Sequence, residues 1–362
     1  MGKSRLFCNE TFLSQAKKGE NHSMTMRLLI GAAMGAILAL GSATLASAND
    51  KVRLGTNWAA QGAQGGYFQA QADGTYAKYG LDVEIIPGGP QINNRPTLPA
   101  GRLDFLIAGN LLLPFDNVRN GIPTKAVAAF FQKDPQALMA HKGAYKDFAD
   151  LTNAEQVLLA RDGQFSYWLW LVASHGFRDE QVRPYTYNLS VFLENKKIVQ
   201  QTYALGEPAY AEAAGADPEV YLLADYGWNT YSGLLETRTD LIESNPDLVQ
   251  RFIDASAIGW TNFLHGDNSA GIGAILAANP DLTAAKIDIE LEQIRKLGII
   301  DSGDALTLGL GAMTEERVTS FYDLSVNSKI FKASEVDLSK VADFRFVNKG
   351  VGLDLRKQLV SE

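Results

Sequence analysis

Two short pairs, Asn57-Trp58 and Glu207-Pro208, carry the side chains in this 362-residue sequence best suited to recognition chemistry. The Trp58 ring could stack on a flat heterocycle while the Asn57 amide offers a donor and an acceptor beside it; the plain alternative is an aromatic lid on the core. A carboxylate at Glu207 could accept two hydrogen bonds from an amino-substituted ring edge and would repel nitrate or a sulfonate, unless it is only a solvated turn residue. Tyr67 follows Gly65-Gly66, where the missing side chains would let backbone approach a ligand and helix N–H groups hold a polar atom; a core tyrosine is the competing reading. Asp162-Gly163-Gln164-Phe165-Ser166 could seat an anion ahead of a helix, or merely cap it through Asp162 or Ser166. Tyr203, Tyr226 and Trp228 could wall a site or simply pack. Gly88-Gly89-Pro90 lacks the lysine and hydroxyl residue of a phosphate loop and reads as a turn.

Other chemistries are poorly served. Beyond residue 48 the histidines are His141, His175 and His265, in no HxH, HExxH or HxxxH arrangement, so no protein metal site is expected. Arg27, the apolar run Leu28 to Leu40 and the small-residue triplet Ala46-Ser47-Ala48 have the layout of a secretory signal peptide, too short for a membrane span. The polar lead Met1 to Ser23 is unusual, and the start codon is left open between Met1, Met24 and Met26. Cleavage after Ala48 leaves 314 residues without cysteine, because Cys8 is the only one, so neither a disulfide framework nor a lipid anchor is expected. That portion holds 28 basic and 39 acidic residues, a net charge of −11, which argues against nucleic acid or an anionic membrane as partner. A soluble periplasmic product of two ordinary domains is the expectation.

The elements that must position these residues alternate. Strands are expected at Val52–Asn57, Asp82–Pro87, Asp104–Ala108 and Thr124–Phe131, with helices at Gly65–Tyr79, Gln91–Ala100 and Leu112–Asn120, Gly80 and Gly121 serving as stops. A second unit repeats the style, without sequence repeat: strands Gln156–Ala160, Val182–Tyr187 and Val220–Ala224, a possible strand starting at Tyr203, and helices from Phe165 to Gly176 and Glu194 to Gln201. The tail is helical, with Pro246 near a start, a core stripe of Leu248, Val249, Phe252, Ile253 and Ser256, and further helices at Ala284–Gly298 and Thr314–Leu324. This rhythm implies α/β lobes, each a mostly parallel sheet flanked by helices. Ligands of open α/β sheets collect beyond the carboxyl ends of strands, which nominates Asn57-Trp58, Gly109-Asn110, Asp162 to Tyr167, Gly206 to Pro208 and Asp225 to Trp228.

The run NWAAQGAQGGYFQAQADGTYAKYGLDVEIIPGGPQINN resembles the amino-terminal lobe of periplasmic solute-binding proteins of the thiamine-precursor (formylaminopyrimidine) group, which also includes nitrate, taurine and sulfonate binders and yeast pyrimidine synthase. QKDP (Gln132 to Pro135), Glu207-Pro208, ADYG (Ala224 to Gly227) and NPDLVQRFIDAS (Asn245 to Ser256) extend the likeness from Val52 to about Val347. The resemblance implies a two-lobed, type II-like binding protein without catalytic residues or cofactor, capturing a small planar heterocycle such as a thiamine pyrimidine precursor and delivering it as a monomer to an ABC permease and its ATPase. Residues 49–140 plus 235–362 would form one lobe and 141–234 the other. Together with the strand-end loops, the resemblance makes Asn57, Trp58, Tyr67, Asn110, Tyr203, Glu207 and Tyr226 the expected ligand-binding residues. A riboflavin-type, sulfonate, taurine or nitrate receptor is the alternative. A pyrimidine-synthesis enzyme is disfavoured, because the related synthase uses its own histidine and a cysteine-rich motif, and no histidine lies in the nominated loops. A ligand-presenting sensory module would have the same fold.

Overall fold

The computed structural model describes residues 48–89 and 92–361. The expected signal segment, up to residue 47, lies outside them, as do Pro90 and Gln91 of the expected turn. Ten strands follow one another: β1 (Asp50–Gly55), β2 (Leu81–Ile86), β3 (Phe105–Ile107), β4 (Thr124–Phe131), β5 (Gln136–His141), β6 (Val157–Leu159), β7 (Val182–Pro184), β8 (Val199–Tyr203), β9 (Pro218–Leu222) and β10 (Ser232–Arg238). They form two five-stranded sheets, ordered β2-β1-β3-β10-β4 and β7-β6-β8-β5-β9. In the first sheet β1 runs parallel to β2 and β3, while β10 is antiparallel to β3 and β4. In the second β6 runs parallel to β7 and β8, while β5 is antiparallel to β8 and β9. Each sheet is therefore parallel but for one strand, and that strand is the first one reached after the chain arrives from the other sheet. The two orders are the same arrangement, a repeat of topology that leaves no repeat in the residues. The fold is the expected two-lobed α/β architecture.

The chain crosses between β4 and β5 and returns between β9 and β10. The crossings run side by side, since Phe131 pairs with Ser232 in one sheet and Ala137 with Leu222 in the other.

Several local expectations change. The helix expected over Gly65–Tyr79 is two, Gly65–Ala72 and Thr75–Lys78, broken where Gly74 adopts φ 76°. Pro96 and Pro99 reduce the expected helix Gln91–Ala100 to one 3₁₀ turn, Arg95–Thr97. The expected helix Glu194–Gln201 is wrong: helix Ser190–Glu194 ends there, and β8 takes over. Val199, Gln200 and Thr202 are buried between β6 and β5, and two of the three are β-branched. β5 and β10 were not expected at all.

The long helix Pro246–His265 starts as its sequence suggests. Pro246 occupies the first turn and the Asn245 side chain accepts from Leu248 N at 3.1 Å. Its apolar stripe packs against helix Gly65–Ala72 at the shortest range a backbone allows. A Cβ on Gly66 would lie 2.2 Å from the Trp260 ring, one on Gly65 2.1 Å from Phe263, and one on Gly259 2.3 Å from the Gly66 carbonyl. The Gly65-Gly66 pair thus serves helix packing, where the sequence suggested a ligand approach. No helix among the described residues is long and apolar enough to cross a membrane.

Candidate functional site

Asn57 follows β1 and Asn110 follows β3, so the parallel strands deliver both amides to the same edge of the first sheet. Asp134, in the first crossing, lies between them and the second sheet. It is 2% exposed and accepts from Asn110 Nδ2 at 2.9 Å and from Trp228 Nε1, in the returning segment, at 3.2 Å. Burial raises its pKa, against the pull of Asn110, Trp228, the Gln136 N–H and Ser232. One carboxyl therefore ties a site loop to both crossings.

Two cavities open here. The inner one, about 120 Å³, is walled by Asn57, Gln64, Asn110, Asp134, Gln136, Tyr203 and Ser232. The outer chamber, about 710 Å³, lies between Leu112, Leu113 and Phe331 on the first lobe and Phe165, Tyr167 and Tyr187 on the second, with the amides of Asn110, Gln136 and Gln201 along its floor. Phe165 is 65% and Tyr187 64% exposed, unusual for rings of that size. Tyr187 holds φ 59°, a left-handed conformation that side-chain-bearing residues rarely adopt and that clusters at binding sites.

The chamber's cations are already committed. Arg95 Nη2 lies 2.8 Å from Asp116 Oδ2 and 3.0 Å from Asn117 Oδ1, and Arg119 pairs with the same Asp116 and, at 3.8 Å, with Glu335. Burial alone would raise the Asp116 carboxyl; Arg95 and Arg119 outweigh it and hold the pKa below its ordinary value. Two buried carboxyls stand nearby. Glu236 on β10 and Glu290 on helix Ala284–Lys296 are both raised to about 7 by burial. Glu290 is stabilised in its charged form by the Gly62 and Ala63 N–H groups and by Lys286.

The expected site residues divide. Asn57, Asn110 and Tyr203 meet at the inner cavity. Trp58, 41% exposed, stands beside Asn57 but lines neither cavity. Tyr67 is fully buried, its ring 5.4 Å from Phe130 and 6.0 Å from Trp260. Glu207 spends both oxygens within the second lobe: Oε1 accepts from the Tyr185 hydroxyl at 2.8 Å and Oε2 from the Tyr203 N–H at 2.6 Å. Tyr226 stacks on Phe148 at 3.8 Å, away from both cavities. Trp228 is core. The sequence reading passed over Asp134, Gln136, Gln201, Tyr187 and Glu236. A carboxylate inside the apolar run of β10 was the one signal that could have raised Glu236, had that strand been recognised.

The histidines do not enter the cavities. His141 Nε2 is 2.7 Å from the Phe192 carbonyl, His175 packs edge-on to Trp170, and His265 lies 3.2 Å from Asp301. Among the described residues no cluster of three or more His, Cys, Asp or Glu side chains could hold a metal ion.

Comparison with known proteins adds three likenesses. Riboflavin-binding protein RibY of Chloroflexus aurantiacus is 26% identical over 212 residues, which are 56% of this chain and 60% of RibY. The match therefore spans less than two thirds of that relative. The periplasmic aliphatic sulphonate binding protein SsuA of Escherichia coli shares the fold at 13% identity, with TM-score 0.56 over 81% of this chain and 92% of SsuA. The desulfurization enzyme DSZB shares it at 12% identity, with TM-score 0.51 over 86% of this chain and 99% of the enzyme. The NMT1/THI5 like family model matches residues 62–268, more than half of the sequence. With that share of the sequence matched, the chain belongs to the NMT1/THI5-like family.

Proposed function

We propose that this protein is the extracytoplasmic capture component of an ABC importer and that its cargo is a neutral, flat nitrogenous heterocycle of flavin size. The outer chamber carries this reading. Its volume of about 710 Å³ lies in the range that drug-sized ligands occupy, and exposed Phe165 and Tyr187 offer ring faces above a floor of amides. The paired state of Arg95 and Arg119 argues against a sulfonate or nitrate, which would need unclaimed cations. The likeness to RibY, a riboflavin-binding protein, supports the flavin class. In this reading the lobes are the two sheets with their helices. The crossings at residues 132–135 and 223–231 form the hinge, closure buries the ligand, and the closed monomer is what a permease reads. The inner cavity, small and polar, favours a second reading, a single-ring thiamine pyrimidine precursor beside Asn57, Asn110 and Tyr203.

Titration with riboflavin, formylaminopyrimidine, taurine and nitrate tests the proposal. Riboflavin should bind with quenched flavin fluorescence, and Phe165→Ala and Tyr187→Ala should each weaken it by about 1–2 kcal/mol, roughly tenfold. Binding of taurine or nitrate alone would refute it.

A further inference from the structure

Glu236 is an expensive residue, with one of its two carboxylate oxygens left without a hydrogen-bond partner. It is 1% exposed, and its cross-strand partners on β3 and β4 are Leu106 and Ala126, so packing alone would accept an apolar side chain. The ladder between β10 and β4 slips at Leu235/Glu236, a bulge of the kind that re-aims a side chain. Asn117 Nδ2 donates to Oε2 at 3.0 Å, while Oε1 is buried without a hydrogen-bond partner. The nearest cation, Arg95, makes its hydrogen bonds to Asp116 and Asn117. Glu236 lines a cavity of about 270 Å³ with Asn57, Asn94, Arg95 and Leu113. Arg95 and Leu113 also wall the outer chamber, and Asn57 also walls the inner cavity, so this pocket adjoins both.

We propose that Glu236 is the acidic ligand contact of this site: its Oε1 accepts an N–H or O–H from the polar end of the bound heterocycle, which enters the pocket between Asn57 and Arg95. The assignment rests on the neutral-heterocycle reading above and transfers to Glu236 the role that the sequence suggested for Glu207. Burial holds its pKa up at about 7, with Arg95, Asn117 and Thr124 pulling it down, so the carboxyl ionises easily once a donor arrives.

The test compares wild type with Glu236→Gln, which keeps the volume and one acceptor toward Asn117. Three probes are titrated: riboflavin, its N3-methyl derivative and its ribityl tetraacetate. The two analogues lose the ring N–H and the chain hydroxyl donors respectively. One analogue should bind wild type at least tenfold more weakly than riboflavin does, and that analogue identifies the donor. Glu236→Gln should weaken riboflavin tenfold or more and lose the discrimination. Equal affinity of wild type and variant for riboflavin would overturn the assignment while leaving the flavin reading intact. So would equal discrimination among the probes by both proteins. Failure of wild type to bind riboflavin would overturn the flavin reading, and this assignment with it. The wild-type arm with the two analogues needs no variant to fold.

Discussion

Glu290→Gln should reduce the pH dependence of stability by the share that Glu290 contributes, leaving the share of Glu236 in both proteins. Glu290 is 5% exposed, and burial raises its pKa from 4.5 to about 7 although the Gly62 and Ala63 N–H groups and Lys286 favour the charge. The folded protein therefore holds this proton more tightly than the unfolded chain does. Its contribution is complete below about pH 4.5 and is lost as the pH rises through 7. Keeping that carboxyl ionised in the fold costs about 3 kcal/mol at pH 8 relative to pH 4. Glutamine carries no charge to desolvate and retains an acceptor for the same N–H groups. For a chain of this size 1 kcal/mol corresponds to roughly 2 °C in Tm, so thermal melts at pH 8 should place the variant about 4–6 °C above wild type. At pH 5 the two should melt within about 2 °C of each other. Parallel loss of Tm in both proteins between pH 5 and pH 8 would refute the argument, because the titrating group would then lie elsewhere.

Two other outcomes follow from close packing and committed hydrogen bonds. Gly259→Ala puts a methyl group 2.3 Å from the Gly66 carbonyl and should cost about 3 kcal/mol or somewhat more, read as a lower Tm with unchanged far-ultraviolet dichroism. Glu207→Ala leaves the Tyr185 hydroxyl and the Tyr203 N–H without their acceptor and should lower stability by roughly 1–3 kcal/mol. Flavin affinity in that variant should fall less than in Glu236→Gln; the reverse order would restore Glu207 as the ligand contact.

What was legible in the residues was local. β4 falls on Thr124–Phe131 as read, because an apolar run between Pro123 and Gln132 admits little else. Gly121 and Pro246 mark a helix end and a helix start through their own backbone chemistry. The strands misread or overlooked, β5, β8 and β10, are inner strands whose pairing partners lie far away in sequence. QALMAH carries residues that favour helices, and β8 hides behind Gln200 and Gln201; only burial between neighbours makes them strands. The site divides in the same way. Asn57 and Asn110 sit at strand ends, where a rule about parallel sheets finds them; Tyr203 ends β8, where the sequence suggested that a strand begins. Asp134 and Glu236 owe their positions to a crossing and a bulge, which no local pattern announces. Glu207 lines neither cavity for a similar reason: the neighbouring Tyr185 hydroxyl and Tyr203 backbone N–H both donate to its carboxylate.

The place of β10 has a consequence for the order of events during synthesis. β4 has only later partners: β10 at residues 232–238, and the single bridges to Gly311 and Ala342. Until residue 238 of 362 has left the ribosome, β4 has nothing to pair with and the first sheet lacks its fourth and fifth members. The amino-terminal half is thus barred from closing its sheet before the return strand is made.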